Sequence, residues 1–288
     1  MNTWPAQGIH HGVPFATYRA CDITQSDTFA TIAGKSVSKS LITDFIPDPS
    51  AWKRSPLKKQ TAAMKGGSLF DCLLTTPEEF ERLYVVSPYA EFRTNESKAW
   101  RDEMEAGGFS VVKQSDVDAA YDQLRAVMSH PEAAALVNGS QKQVAFRHDT
   151  KYPFGAKGLI DLVPDGDGDT LCDIKTCEPG ALESRRSLQR HIFEWGYHIQ
   201  AGAYCEGYSI ASGVDQTKFK FIFVTSKPPF RVAVINLPFA AIMFGADIYR
   251  AGIARFATCM ERNEWPSIWD GEVDLDLPEY AYTKGDDQ

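Results

Sequence analysis

Two short apolar stretches carrying acids, separated by a run of turn formers, constrain this chain most. Gly158-Leu159-Ile160-Asp161 comes first, Pro164-Asp165-Gly166-Asp167-Gly168-Asp169 follows, and Cys172-Asp173-Ile174-Lys175-Thr176 closes the segment. The flanking Val, Leu and Ile favour strands, and Pro, Asp and Gly favour a turn, so the segment reads as a β-hairpin. Side chains alternate faces along a strand, which points Asp173 and Lys175 the same way. Folding about the turn sets Asp161 opposite Asp173, to within about one residue of register. Facing like charges destabilise a sheet unless a cation lies between them. Carboxylate oxygens suit Mg²⁺ or Mn²⁺, and a neighbouring lysine can orient or deprotonate a water. Asp161, Asp173 and Lys175 therefore suit metal-dependent cleavage of a phosphodiester. The plainer alternative is a surface ion pair beside a turn. An acid embedded among apolar strand residues is costly and weighs against it.

Further stretches accompany the hairpin. They are Ser36-Val37-Ser38-Lys39-Ser40, Gly66-Gly67-Ser68-Leu69-Phe70-Asp71-Cys72-Leu73-Leu74, Pro77-Glu78-Glu79-Phe80, Tyr197-His198-Ile199-Gln200 and Glu264-Trp265-Pro266. With Asp161 as the first acid and Asp173-Ile174-Lys175 as the D/E-x-K, the set resembles the PD-(D/E)XK nuclease superfamily. Within it, the order of the stretches resembles the RecE-type (exonuclease VIII) phage recombination exonucleases, from about Gly12 to Ile268.

The resemblance implies an α/β (α+β) fold: a central mixed β-sheet flanked by helices, with a restriction-endonuclease-like core and a helical N-terminal region. It implies a Mg²⁺-dependent exonuclease, with Mn²⁺ as a substitute, that degrades linear double-stranded DNA 5′ to 3′. A ring-like homo-oligomer and a RecT-like single-strand annealing protein as partner are implied with it. The family usually carries a histidine where this chain has Asp71. Aspartate also holds a hard cation, so the expected ligands are Asp161, Asp173, the Ile174 carbonyl and Asp71. Gln143 stands where some relatives place a glutamate and carries no charge. Lys175 is expected to position or deprotonate the nucleophile, and Gln200 to orient water or the terminal nucleotide. Tyr197, Gln200 and Tyr204, at i, i+3 and i+7 of one helix face, are expected to look toward the metal centre and DNA.

Composition bounds the rest. At 288 residues, 43% hydrophobic and 24% charged, the chain can bury a sizeable core as one α/β domain over 1–288. Its formal net charge of −8 argues against a generally basic DNA-coating protein and leaves room for one locally basic channel. DNA contacts are expected from Lys53, Arg54, Lys58 and Lys59 in the basic segment after Trp52. Arg185 and Arg186, with Arg190 beyond them, form a second expected set, and Arg93, Lys98 and Arg101 a third. No apolar run approaches the ~20 residues of a membrane span, and the first ten residues lack a secretory signal, so a cytoplasmic protein is expected. Cys21, Cys72, Cys172, Cys177, Cys205 and Cys259 form no C-x-x-C pair, which argues against a zinc ribbon or an iron–sulfur cluster and for buried thiols. No G-x-x-x-x-G-K-[ST] loop occurs, so no nucleotide cofactor is expected. Asp165–Asp169 mimics the opening of a calcium loop but places Thr170 and Thr176 where Gly and Glu are required.

Read for elements, residues 1–138 are expected to be mainly helical. Ser38 caps a short helix through Phe45, and Ser115–Met128 forms another, with Val117, Ala120, Leu124 and Met128 inward. The sheet is expected over 143–146, 152–163, 170–176, 219–225 and 232–237, with one long helix over about 187–208 and a last one over 240–262. The catalytic part thus spans 139–268, and 269–288 is an irregular acidic tail. Two other functions fit the same residues: an endonuclease of the same superfamily, and an inactive DNA-binding subunit.

Overall fold

The structure, a computed structural model, describes residues 6–56, 61–166 and 168–278, apart from the side chains of 62 and 63. Its strands are β1 (Gly8–His10), β2 (Ser36–Ser38), β3 (Tyr84–Val86), β4 (Ser110–Val112), β5 (Ser140–Asp149), β6 (Gly155–Pro164), β7 (Thr170–Cys177), β8 (Lys218–Thr225) and β9 (Val232–Leu237). Its helices are α1 (Phe15–Ala20), α2 (Lys39–Phe45), α3 (Pro49–Arg54), α4 (Ala62–Thr75), α5 (Phe80–Leu83), α6 (Asn95–Ala106), α7 (Gln114–Ser129), α8 (Pro131–Asn138), α9 (Arg185–Glu194), α10 (Tyr197–Ser212) and α11 (Phe239–Arg262).

The main sheet runs β1-β5-β6-β7-β8-β9, with β2 paired to β6 off that path. It is mixed. β5–β6, β6–β7 and β8–β9 are antiparallel, while β7–β8 and β2–β6 are parallel. Parallel neighbours need a crossover, and α9 and α10 supply the one between β7 and β8. One apolar layer joins α4, α7 and α8 to Leu162, Cys172, Ile174 and Ile222 of the sheet. A second joins α9 and α10 to Ile160, Leu171 and the Phe219, Phe221, Phe223 row of β8. A third joins α2, α3 and α11 around Phe45 and Phe256. All six cysteines are buried and free. Among the described residues no helix is long and apolar enough to cross a membrane.

Several expectations are corrected. The mainly helical N-terminal part also supplies strands that were not expected: β1 and β2 enter the main sheet and β3 and β4 pair in parallel. Each is three residues long, too short to show a period of two. The expected 187–208 helix is two helices. Gly196 takes a φ of 61°, a left-handed conformation that glycine adopts without penalty and that ends α9 at Trp195. In α7, Met128 is exposed and Gln123 is buried instead, its amide donating to the Thr225 carbonyl at 3.1 Å. Ser38 does cap α2, accepting from the Leu41 amide at 3.3 Å.

Helices α10 and α11 cross at glycines. A Cβ on Gly245 would lie 1.9 Å from the His198 carbonyl oxygen, and one on Gly202 would lie 2.2 Å from the Ala246 nitrogen. The two backbones touch there, which fixes the spacing of α10 and α11.

Candidate active site

Strand β6 delivers Asp161 and β7 delivers Asp173. Leu162 pairs with Cys172, so the adjacent antiparallel pair is Asp161 with Asp173, the register the hairpin predicts. Asp161 Oδ2 accepts from the Ile174 amide at 2.9 Å, a side chain serving the neighbouring strand's backbone. Lys175, two residues past Asp173 on the same strand face, forms an ion pair with Asp173 Oδ2. Gln200 of α10 donates to Asp173 Oδ1 at 2.6 Å. Tyr197, one turn earlier, lays its ring 5.4 Å from the Lys175 ammonium and packs on Phe221 and Phe223.

Asp71 arrives from α4, held beside Phe70, Cys72, Leu73 and Leu74, all buried. Gln143 bridges it to the hairpin. Its Nε2 lies 3.3 Å from Asp71 Oδ2, 3.4 Å from Asp161 Oδ1 and 3.3 Å from Thr75 Oγ1. The β5–β6 ladder pairs Lys142 with Leu162 and Val144 with Ile160 but passes over Gln143 and Asp161. Gln143 has a φ of 51° there, unusual for a residue with a side chain, and strain of this kind clusters at functional sites.

The electrostatics follow from crowding acids in a dry place. Burial, then the charge of Asp173, pushes the Asp71 carboxyl up to about 7, against Lys175 and the Gln143 amide. Burial also raises Asp161 well above the ordinary carboxylate range, with Asp173 and Asp71 adding to it. Burial works against the charge of Lys175, yet Asp173 and Asp161 outweigh it and hold its ammonium more firmly protonated than usual.

Three oxygen donors, one of them the buried Asp71 Oδ1 without a hydrogen-bond partner among the described residues, suit a hard divalent cation. Among the described residues no three His, Cys, Asp or Glu side chains are gathered as a finished metal cluster. Nitrogen donors stand in front of the acids instead: the Gln143 amide at Asp71 and Asp161, and Gln200 and Lys175 at Asp173.

Sequence reasoning overlooked Lys39, although it lies in a quoted stretch. This first residue of α2 places its ammonium 5.9 Å from the Tyr197 ring and donates to the Trp195 carbonyl at 3.5 Å. Burial and the like charge of Lys175 lower it to about 8, against Asp173. The Ser38 cap marks where α2 begins, but nothing in the sequence brings that helix start to Tyr197.

The other expected DNA contacts have varied surroundings. Lys53 donates to the carbonyls of Gln25 and Asp27 at 2.6 and 3.1 Å and lies over the Trp265 ring, so its charge is committed to the fold. Trp52 is buried against Phe45, Phe256 and Trp265. Arg54 is exposed, and Lys58 and Lys59 lie outside the described residues. Tyr204, half-buried, packs against Phe146 and Phe219. Arg93 and Arg101 are paired with Glu91 and Asp102, and Lys98 is exposed. Arg185 and Arg186 are exposed at the start of α9.

A family described as a PDDEXK-like domain of unknown function, DUF3799, matches residues 49–274, well over half of the chain. This chain belongs to that PDDEXK-like family. Among solved structures, a "Putative exonuclease" from Eubacterium rectale superposes with a TM-score of 0.59 at 14% identity, over 87% of this chain and 93% of that one. A phage related exonuclease from Haemophilus somnus 129PT aligns with a TM-score of 0.32 at 14% identity, over 77% of this chain and 96% of that one. An alkaline exonuclease from Laribacter hongkongensis gives 0.27 at 15%, over 65% and 96%. The first likeness is one of fold, and the other two scores carry no argument. A search of curated proteins finds no match. The PDDEXK-like core agrees with the resemblance drawn from the hairpin, and PD-(D/E)XK nucleases generally use divalent metals.

Metal-free protein offers a test of the acid cluster. An unfolded Asp titrates near 3.9, and folded Asp71 near 7. Below about pH 4 both states hold the proton, and no penalty arises. Above about 7 both have lost it, and the fold bears the full cost of a buried charge. Stability therefore falls as pH rises from about 4 to 7 and stays low beyond. In EDTA, urea midpoints are expected to fall from pH 5 to pH 8. Asp71→Asn is expected to flatten that fall by on the order of 1–3 kcal/mol. Equal slopes in both proteins refute the assignment.

Proposed function

We propose that this protein is a divalent-metal-dependent deoxyribonuclease that removes nucleotides from the ends of linear double-stranded DNA, 5′ to 3′, with Mg²⁺ as the natural ion. The observation that carries the reading is the Lys175 ammonium set on Asp173, beside Asp161 and Asp71, in one largely buried cluster. Such a charge arrangement costs folding energy and is rarely kept for structure alone.

Asp161, Asp173, Asp71 and the Ile174 carbonyl would hold the ion, which when bound polarises the scissile phosphate and lowers the pKa of water. Lys175, kept charged by the two acids, faces the charge that develops on the phosphate and orients the attacking water. Gln200 holds Asp173 in its rotamer through Oδ1, leaving Oδ2 toward Lys175. Tyr197 confines the Lys175 ammonium from the other side. Lys39, the second cation over the same ring, adds positive charge for a phosphate.

A cytoplasmic recombination role belongs to the same reading. In it, the protein resects linear ends as a ring-shaped homo-oligomer and passes the exposed strand to an annealing protein.

End-labelled linear duplex, incubated with Mg²⁺ or EDTA beside an Asp173→Asn variant, tests the core of the proposal. Early release of 5′-labelled mononucleotides with Mg²⁺ only, absent in the variant, is expected, and a covalently closed circle should remain intact. Cutting of the circle would turn the reading to an endonuclease. No cleavage despite DNA binding would make the protein a binding subunit.

A further inference from the structure

Helix α9 carries a stripe that the site does not use. Arg186, Arg190 and Phe193 follow at i, i+4 and i+7, so they share one face, and all three are exposed. Trp195, which caps the helix, is exposed too. Phe193 is 66% and Trp195 63% accessible, a high exposure for two large rings two residues apart. Among the described residues neither Arg186 nor Arg190 is engaged in an ion pair.

The stripe leads to the chemistry. The Trp195 carbonyl accepts from Lys39, Gly196 turns the chain, and Tyr197 then faces Lys175. From Arg186 to Trp195 is about 13 Å of helix. Phe193 is held in place by stacking on His198 at 5.4 Å and 7°, and His198 stacks in turn on Phe244 at 5.7 Å and 10°.

A row of free cations that ends in exposed rings, on a chain of net charge −8, matches one ligand chemistry well. Arginines meet phosphates, and rings stack on bases. A base inside a duplex already has both faces covered by its neighbours, so a stacking ring selects bases that are unpaired. We propose that Arg186, Arg190, Phe193 and Trp195 form a subsite for an unpaired DNA strand beside the active site, so that the protein engages tailed or frayed ends in preference to closed blunt ones. The idea takes its location from the nuclease reading, but its test measures binding alone.

Fluorescence anisotropy in EDTA compares a duplex bearing a single-stranded thymidine tail with the blunt duplex. The unchanged protein should prefer the tailed duplex. A Phe193→Ala/Trp195→Ala double variant should lose on the order of tenfold to a hundredfold in affinity for the tail, keep its blunt-end affinity within about twofold, and keep its salt dependence. Arg190→Gln should weaken binding and make the salt slope shallower by about 0.7. Both rings are exposed, so circular dichroism should show an intact fold.

No preference for the tail in the unchanged protein, equal losses on both ligands, or no loss on either overturns the proposal. A smaller sedimentation coefficient for the double variant, with tail binding intact, also overturns it and assigns the rings to contacts between copies of the chain. Cleavage is scored in separate Mg²⁺ samples. A tail preference without cleavage strikes the nuclease reading and leaves the strand subsite standing.

Discussion

Replacing Lys175 is expected to lower hydrolysis of linear duplex DNA by about a thousandfold, at the upper end of what loss of one preorganised charge removes. The substitution also carries a folding cost. Asp173 is 2% exposed, and Lys175 is its ion-pair partner. Deleting one member of a buried pair typically costs about 3–5 kcal/mol, because the other is left charged and dry. Gln200 still donates to Asp173, and proton uptake by the acid cluster relieves part of the strain, so the lower end of that range is expected. Lys175→Gln separates the two effects, since it keeps a hydrogen-bond donor, one atom shorter, and lacks the charge. Its thermal midpoint should lie above that of Lys175→Ala while its turnover falls comparably. Near-normal turnover in folded Lys175→Gln would remove Lys175 from the mechanism.

The second large effect is expected at a position without a side chain, at Gly245→Ala. Alanine is the better helix former by about 1 kcal/mol, so on an isolated helix this substitution would stabilise. Here its methyl would sit 1.9 Å from the His198 carbonyl oxygen and 2.4 Å from the carbonyl carbon. Backbone cannot rotate aside as a side chain can, so α10 and α11 must separate, at a cost of about 3 kcal/mol or more. Gly202→Ala pushes on the same crossing from the other helix, with the Ala246 nitrogen at 2.2 Å. Because α10 carries Gln200, the shift reaches Asp173 directly. Activity at temperatures where the variant remains folded should therefore fall as well. A variant with an unchanged urea midpoint would show that the two helices are not in backbone contact.

How much of this was legible from residues alone depended on the range of the determining contact. The hairpin was, because alternation, turn formers and register act within about 20 residues, and Asp161 does meet β7 beside Asp173. Asp71 was reachable through the stretch around it, since an acid among Phe70, Cys72, Leu73 and Leu74 needs a reason to be there. Lys39 was not, because its place is set by β2 joining β6, and a three-residue strand leaves no periodic trace. The break at Gly196 was hidden for another reason. A single glycine inside a helical pattern is compatible with a continuous helix, and only tertiary packing selects the left-handed conformation. In the basic segment after Trp52, composition counts charges without showing which are spent, and Lys53 is bound to two carbonyls.

The buried cysteines provide a built-in clock for the catalytic layer. Cys72 follows Asp71 and Cys172 precedes Asp173, and both thiols sit in the same apolar cluster between α4 and the sheet. A thiol reagent reaches them only when that helix lifts away. The alkylation rate of the two peptides, followed by mass spectrometry, therefore times how often the acids come apart, with no substrate present. On the proposed ligand set, added divalent metal should slow both rates together.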